Sequence, residues 1–515
     1  MYAVNKNSRT VNSLKSAVTG IGGQLITLIL KFVSRTVFIY TIGVEYLGIN
    51  GLFSSVITIL NISELGLQTA VVYSLYKPLA AGDTRKVSAT MNLLRRAYTF
   101  IGAAVLLLGA ALYPFLPYLM KGTTDLVDVN LVYALYVLNS VFSYWFYAYK
   151  SAILQADQKR YVSNVINNAV AVATVLIQIF VLAVFRSFIG YTVVQLLCSV
   201  IQGLIAATVV DKRYPYLKQN RHEKLEKDEI KTILKNLFAL SLYKISAAVL
   251  NATDNMVISA KISTVAVGMH SNYVLILSAV TQIVQNMFSA FTASIGNLFA
   301  VEAKEKSEFI FRCLNFLNFW VYGFCAICLW NLFNPFIEIM WGKDMLFDDL
   351  TVLVIVLNFL TAGLQNAIIS YKDACGLFWK GRYRPLASAA LNIIVSLLLV
   401  KPLGVAGVFL GTIISRFLTT WWFDAWLVHR NAFGISPSKY YLRYFMSLIR
   451  VVIVGAAISF VTAPLNQYGV WVVFLVRAAA CLTVPNVIFF IRFRKSEEFL
   501  YLVSAAKPLL KKIKR

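Results

Sequence analysis

Apolar windows of membrane-spanning length follow one another from residue 16 to residue 491, and this succession limits the possible folds more than any other feature of the sequence. They fall at 16–42, 49–76, 88–113, 128–149, 162–184, 190–210, 237–260, 267–299, 309–333, 350–371, 386–400, 404–428, 444–463 and 470–491. Inside hydrocarbon each segment must satisfy its own peptide groups, and successive helices do so. The expected fold is therefore an all-α polytopic membrane protein with 14 transmembrane helices. A hydrophobic content of 59% against 14% charged residues agrees, since soluble domains hold about 45–50% apolar residues.

A formal charge of +25 would suggest nucleic acid in a soluble chain, so the placement of the charges decides. Lys and Arg accumulate in cytoplasmic loops. With the N-terminus inside, 34 of the 48 basic residues fall in inner loops and tails, and only Lys121, Arg186, Lys261, Lys343 and Lys401 fall outside. Both termini are then cytoplasmic, no nucleic acid is needed, and the tail from Lys507 to Arg515 lies near anionic lipid. The basic start (Lys6, Arg9, Lys15) precedes an apolar run too long for a signal peptide and is read as a retained first helix. The cysteines lie in or beside apolar segments, so no disulfide framework is expected, and the Cys325–Cys328 spacing is read as packing. No phosphate-binding G-x-x-x-x-G-K-[ST] loop occurs, so ATP hydrolysis is not expected. No cofactor, metal site or enzymatic activity is expected either.

Several polar residues sit at depths where they are costly. Lys31 lies about 11 residues from the nearer end of the first window, on the order of 16 Å, too deep to snorkel. A basic residue there costs roughly 2.5–3.5 kcal/mol unless it meets a partner or water. Gln24, Thr27, Lys31 and Arg35 share one face of that helix. In the second window Asn61, Glu64 and Gln68 recur at spacings of three and four. Two readings fit Lys31: it lines a hydrated cavity, or it pairs with Glu64, and each could hold in a different conformation. Glu64 and Asp254 are the deep carboxylates able to take H⁺ or Na⁺, and a structural salt bridge is the competing use. His270 is read as a buried hydrogen-bonding residue.

An internal repeat appears at an offset near 220. Pro114-Phe115-Leu116 is matched by Pro335-Phe336-Ile337, and Lys159-Arg160-Tyr161 by Gly381-Arg382-Tyr383. Six spans per copy give both copies the same orientation, related by an axis along the membrane normal. The offset carries the polar stripe from the first span to the seventh: Gln24 to Lys244, Lys31 to Asn251, Ser34 to Asp254 and Arg35 to Asn255. In the eighth span Gln282, Gln285 and Ser289 fall opposite Asn61, Glu64 and Gln68 if one residue is inserted. The domains expected are an N-terminal lobe (1–212), a cytoplasmic linker (213–235), a C-terminal lobe (236–430) and a final pair of helices with a basic tail (431–515). Spans 1, 2, 7 and 8 are expected to line a central cleft between the lobes.

With this span count, the parallel repeat and the run Gly43-Val44-Glu45-Tyr46-Leu47-Gly48 leading to Glu64-Leu65-Gly66-Leu67-Gln68-Thr69-Ala70, the chain resembles the lipid-linked oligosaccharide flippases. These form part of the multidrug/oligosaccharidyl-lipid/polysaccharide exporter superfamily, and the stretch Glu64 to Ala70 fits a motif common in that family. The resemblance implies two six-helix lobes around a V-shaped cleft. It also implies a polyprenyl-pyrophosphate-linked glycan turned from the cytoplasmic to the outer leaflet of a bacterial cell membrane by alternating access. Lys31, Arg35, Lys244, Gln24, Asn251, Asn255, Asn61, Gln68 and Gln285 would bind substrate, and Glu64 or Asp254 would couple H⁺ or Na⁺. Membrane lipid, a polysaccharide polymerase and glycosyltransferases are the further partners implied. A lipid II flippase fits the same features. A cation-coupled drug exporter of the superfamily is the more distant alternative, because cationic substrates favour acidic and aromatic walls. A membrane polymerase or ligase would be expected to have a large outer loop or a catalytic cluster, and neither is present.

Overall fold

Among the described residues every regular element is helical, as the requirement for internally paired peptide groups dictates. The computed structural model describes residues 6–64, 67–120, 129–157, 159–301, 304–375, 377–381 and 383–504. Eleven helices among the described residues are long and apolar enough to cross a membrane. The chain divides into two compact units, Met1–Gly268 and Met269–Arg515.

The first unit contains α1 (Lys6–Ile42), α2 (Val44–Leu60), α3 (Leu67–Ala81), α4 (Thr84–Leu112), α5 (Leu116–Leu119), α6 (Val129–Ser143), α7 (Tyr149–Ala156), α8 (Arg160–Phe185), α9 (Phe188–Arg213), α10 (Tyr216–Gln219) and α11 (Lys227–Lys261), and α12 (Thr264–Val301) begins in it. Between α2 and α3 the residues Asn61–Glu64 form a 3₁₀ turn, and between α6 and α7 the residues Tyr144–Ala148 form a wider π turn. The second window of the sequence is thus two helices with a break in the middle. Leu52, Phe53, Leu75, Leu94 and Tyr98 are fully buried around α2 and α4.

α2 meets the start of α12 through backbone. A Cβ on Gly48 would stand 1.9 Å from the carbonyl oxygen of Thr264, and one on Gly268 would stand 2.4 Å from that of Val44. Glycine at both positions is what permits the approach. α11 also packs on α2, where the Asn255 amide donates to the Ser55 hydroxyl at 2.9 Å.

The second unit holds the rest of α12, then α13 (Lys304–Trp341), α14 (Asp349–Gly363), α15 (Asn366–Ala374), α16 (Arg384–Arg416), α17 (Trp422–Val428), α18 (Ser438–Thr462) and α19 (Val470–Phe493). α16 and its continuation form one helical run, Arg384–Phe433, of 50 residues. That run is not straight. At Gly404 the backbone leaves the helix (φ 55, ψ −135), and the two arms then run antiparallel. Ser396 donates to the carbonyl of Val408 at 3.0 Å, and the Asn392 amide to Thr412 at 2.7 Å. A Cβ on Gly407 would lie 2.1 Å from the Leu399 carbonyl oxygen, and one on Gly411 2.3 Å from the Ser396 hydroxyl. The small-residue spacing at Gly407 and Gly411 therefore closes a hairpin within the chain.

Each unit ties its helices with a lysine–aspartate pair. In the first, Lys150 on α7 meets Asp211 on α9 at 2.6 Å, and Lys218 meets the same carboxylate at 3.2 Å. In the second, Lys372 on α15 meets Asp424 on α17 at 3.3 Å, and Arg384 meets Asp424 at 2.5 Å while its guanidinium lies over the Phe423 ring. Arg416 does not reach Asp424. It donates instead to Thr361 and to the Asn358 side chain on α14.

Two stability outcomes follow from this packing. Gly48→Ile should lower thermal stability by about 1–3 kcal/mol or more, because the added carbons meet a backbone carbonyl that cannot rotate away. Scanning fluorimetry of the purified protein in detergent measures it. Asp424→Asn leaves two buried cations without a carboxylate and should cost about 3–5 kcal/mol. Asp211→Asn, at a pair whose side chains are 12% and 20% exposed rather than 7% and 6%, should cost less in the same assay.

Candidate functional site

The polar residues of α1 lie on one side of that helix and its exposed apolar residues on the other. Ile26, Ile29, Val33 and Tyr40 are all more than two-fifths exposed. At 100° per residue their common direction lies roughly opposite to Lys31. Lys31 is itself exposed. Among the described residues it makes no ion pair, so the alternative pairing with Glu64 is not formed. Its neighbours on the stripe differ: Gln24 and Arg35 are half-buried and engaged, and Arg35 lies within electrostatic reach of Tyr191 on α9. α1 is held against α8 at Gly23, where an added Cβ would fall 1.8 Å from the Asn168 amide.

The polar residues of the second window are taken up by α4, α6 and α7. The Tyr98 hydroxyl donates to Glu64 at 2.9 Å, and the Tyr144 hydroxyl lies beside the same carboxylate. The two tyrosine rings stack at 5.7 Å. Ser140 donates to the Asn61 side-chain oxygen at 2.7 Å, and the Gln68 amide donates to Ser151 at 2.9 Å. One turn earlier, Tyr136 donates to Asn50. Glu64 thus sits at the 3₁₀ break, where it accepts from a neutral donor. These tyrosines are the partners sequence reading misses. Their only sequence signal is their placement in apolar spans, where a hydroxyl requires an acceptor.

On α11, Asp254 is buried and engaged, and Asn255 reaches Ser55 on α2. Lys244 and Asn251 lie on the same helix, but their side chains fall outside the described residues. Gln285 is exposed on α12, with Gln282 one turn before it. His270 is buried with its ring 4.8 Å from that of Phe409. The structure therefore gives the polar stripes two kinds of surroundings. Asn61, Glu64, Gln68 and Asn255 are bound by neighbouring helices, while Lys31 and Gln285 are open. Among the described residues no group of His, Cys, Asp or Glu could hold a metal ion.

No protein-family model and no curated protein sequence matches the chain. Solved structures do. The lipid II flippase MurJ in an inward closed conformation superimposes with a TM-score of 0.63 at 14% identity, covering 92% of this chain and 99% of that one. An inward-facing multidrug resistance MATE transporter of the MOP superfamily gives 0.57 at 15% identity over 78% and 95%. The Vibrio cholerae MATE transporter VcmN gives 0.54 at 15% identity over 84% and 100%. At these identities the likeness is one of fold, and the chain has the multi-pass helical fold that the MATE transporters and the MurJ flippase share.

Proposed function

We propose that the chain is a flippase that moves a polyprenyl-pyrophosphate-linked oligosaccharide from the cytoplasmic to the outer leaflet by alternating access, for cell-surface polysaccharide assembly. The observation that carries the reading is Lys31. It is an exposed ammonium at bilayer depth, turned away from the apolar face of its own helix and without a carboxylate. A cation so placed is stable where water or an anion reaches it. A pyrophosphate and several sugars cannot cross hydrocarbon unaided, because ions and unpaired hydroxyls cost several kcal/mol each. Lys31, with Arg35 and Lys244, supplies the positive charge that replaces water around the pyrophosphate. Gln24, Asn251 and the exposed Gln285 supply amides for the hydroxyls, and the prenyl tail stays in lipid. The fold shared with a lipid II flippase supports the reading. It equally favours lipid II itself as the cargo, since both cargoes present a polyprenyl pyrophosphate. The multidrug reading is weaker because the open charge at depth is basic.

Fourteen crossings in total belong to this proposal. To the eleven long apolar helices it adds the broken α2–α3 segment, α11, and the second arm of the hairpin at Gly404. Two equivalent halves, 1–212 and 236–430, are supported by the recurrence of one lysine–aspartate pair. Lys150 with Asp211 and Lys372 with Asp424 join corresponding helices in each half. The basic-residue asymmetry of the loops supports cytoplasmic termini, and a bacterial cell membrane is the location that belongs to the flippase reading. Cysteine accessibility tests this: residues placed in 122–128 and 213–227 should label from opposite sides.

Transport of a fluorescent or radiolabelled lipid-linked repeat unit in proteoliposomes tests the function. Lys31→Ala should reduce flipping to background with normal expression and insertion, and Lys31→Arg should retain part of it, because arginine keeps the charge in a different geometry. The double change Lys31→Gln with Glu64→Gln should stay inactive, since Glu64 is held by Tyr98 rather than by Lys31. Full activity of that double variant would overturn the reading. Glu64→Gln or Asp254→Asn should in addition remove the dependence on a proton or sodium gradient, and transport indifferent to both gradients in the unaltered protein would exclude ion coupling.

A further inference from the structure

The inner end of α4 carries a second basic site, separate from Lys31. Arg95 and Arg96 lie where the apolar part of α4 begins, and both are exposed. The segment after α9 is tied down over them. The Asn92 amide donates to the carbonyls of Asn220 at 3.0 Å and Glu223 at 3.1 Å, and Lys86 pairs with Glu229. This docking brings Arg221 and His222 to Arg95 and Arg96 around a cavity of about 650 Å³, whose lining contains no carboxylate. Glu223, the residue after His222, faces Arg85, and Asp211 lines an adjoining pocket and is already bound by Lys150 and Lys218. Among the described residues none of the three guanidiniums meets a carboxylate. Gathering three like charges with a tethered loop is unfavourable unless an anion fills the space between them.

The other wall of the cavity is apolar. Phe100 and Ala103 line it, and on the same face of α4 the exposed track continues to Leu107, with Phe100 76% and Leu107 71% exposed. From Arg96 to Leu107 the track runs on the order of 16 Å along the helix. A cluster of guanidiniums at the membrane interface, opening onto an apolar strip that descends into the hydrocarbon, matches a molecule with a phosphate at one end and a long chain at the other.

We propose that Arg95, Arg96, Arg221 and His222 form a binding site for a phosphate-headed lipid of the cytoplasmic leaflet, with its chain laid along Phe100, Ala103 and Leu107. The site rests on the membrane reading above, which puts this end of α4 in the cytoplasm. Two sources share the chemistry: the polyprenyl-pyrophosphate cargo before it reaches Lys31, and an anionic phospholipid such as cardiolipin. Bidentate guanidinium contacts suit either one.

The test is titration of the purified full-length protein by native mass spectrometry, carried out in the Lys31→Ala background so that the deep site does not contribute. Undecaprenyl pyrophosphate, cardiolipin and phosphatidylcholine are the probes. Adding Arg95→Gln, Arg96→Gln and Arg221→Gln should weaken binding of the anionic probe about a hundredfold, the equivalent of three charge contacts. The corresponding triple change to lysine should restore most of it, and monodisperse elution of both variants verifies folding. Binding of undecaprenyl pyrophosphate alone assigns the site to cargo loading, and binding of cardiolipin alone assigns it to bulk anionic lipid; either outcome supports the site. Unchanged affinity in the glutamine variant, or retention of phosphatidylcholine as tight as that of the anionic probes, would overturn it. A flippase whose Lys31 proves dispensable could still pass this test, and one whose Lys31 is essential could fail it, so the two readings stand or fall separately.

Discussion

A charge can be held among apolar helices only if something takes the place of its water, and the arrangement of this chain follows from how it meets that condition. Three solutions occur. Asp424 is neutralised by Lys372 and Arg384 and becomes part of the packing of its unit. Glu64 is held by the Tyr98 hydroxyl at a helix break, with no ion pair among the described residues. Lys31 is exposed on the side of α1 opposite the apolar face. The first arrangement is inert, the second holds a carboxylate by a neutral donor, and the third is open to a ligand. Such a gradation suits a transporter better than a scaffold, which would gain nothing from an open charge.

Much of the fold was legible because its signals are long. Window lengths are summed over many residues, and the division between the windows 386–400 and 404–428 falls at Gly404, where the chain reverses. Polar stripes were legible too, since a lysine at depth contradicts its surroundings. The partners of those stripes were not. Whether Glu64 meets Lys31 or Tyr98 depends on how the helices are rotated against one another. That rotation is set by contacts such as Gly48 against Thr264 and Gly23 against Asn168. A single sequence records such contacts only as one glycine among 26.

The broken second window shows the same limit. Nothing in the run Asn61 to Gln68 demands a 3₁₀ turn, and the five polar or small residues there would equally suit a regular amphipathic helix. What favours the break is the set of acceptors and donors around it: Ser140, Tyr98 and Ser151 each satisfy one side chain of the segment. Local geometry here is imposed by tertiary partners, and helix propensity is too weak a term to resist them.

The reversal at Gly404 has a consequence for how the protein is made. Its two arms are joined by only a few residues and zipped together by Asn392, Ser396, Thr412 and two glycines. Neither arm can hide its polar side chains from lipid without the other. The pair is therefore suited to enter the bilayer as one preassembled hairpin rather than as two helices in succession. Lys401 is the one basic residue at its tip.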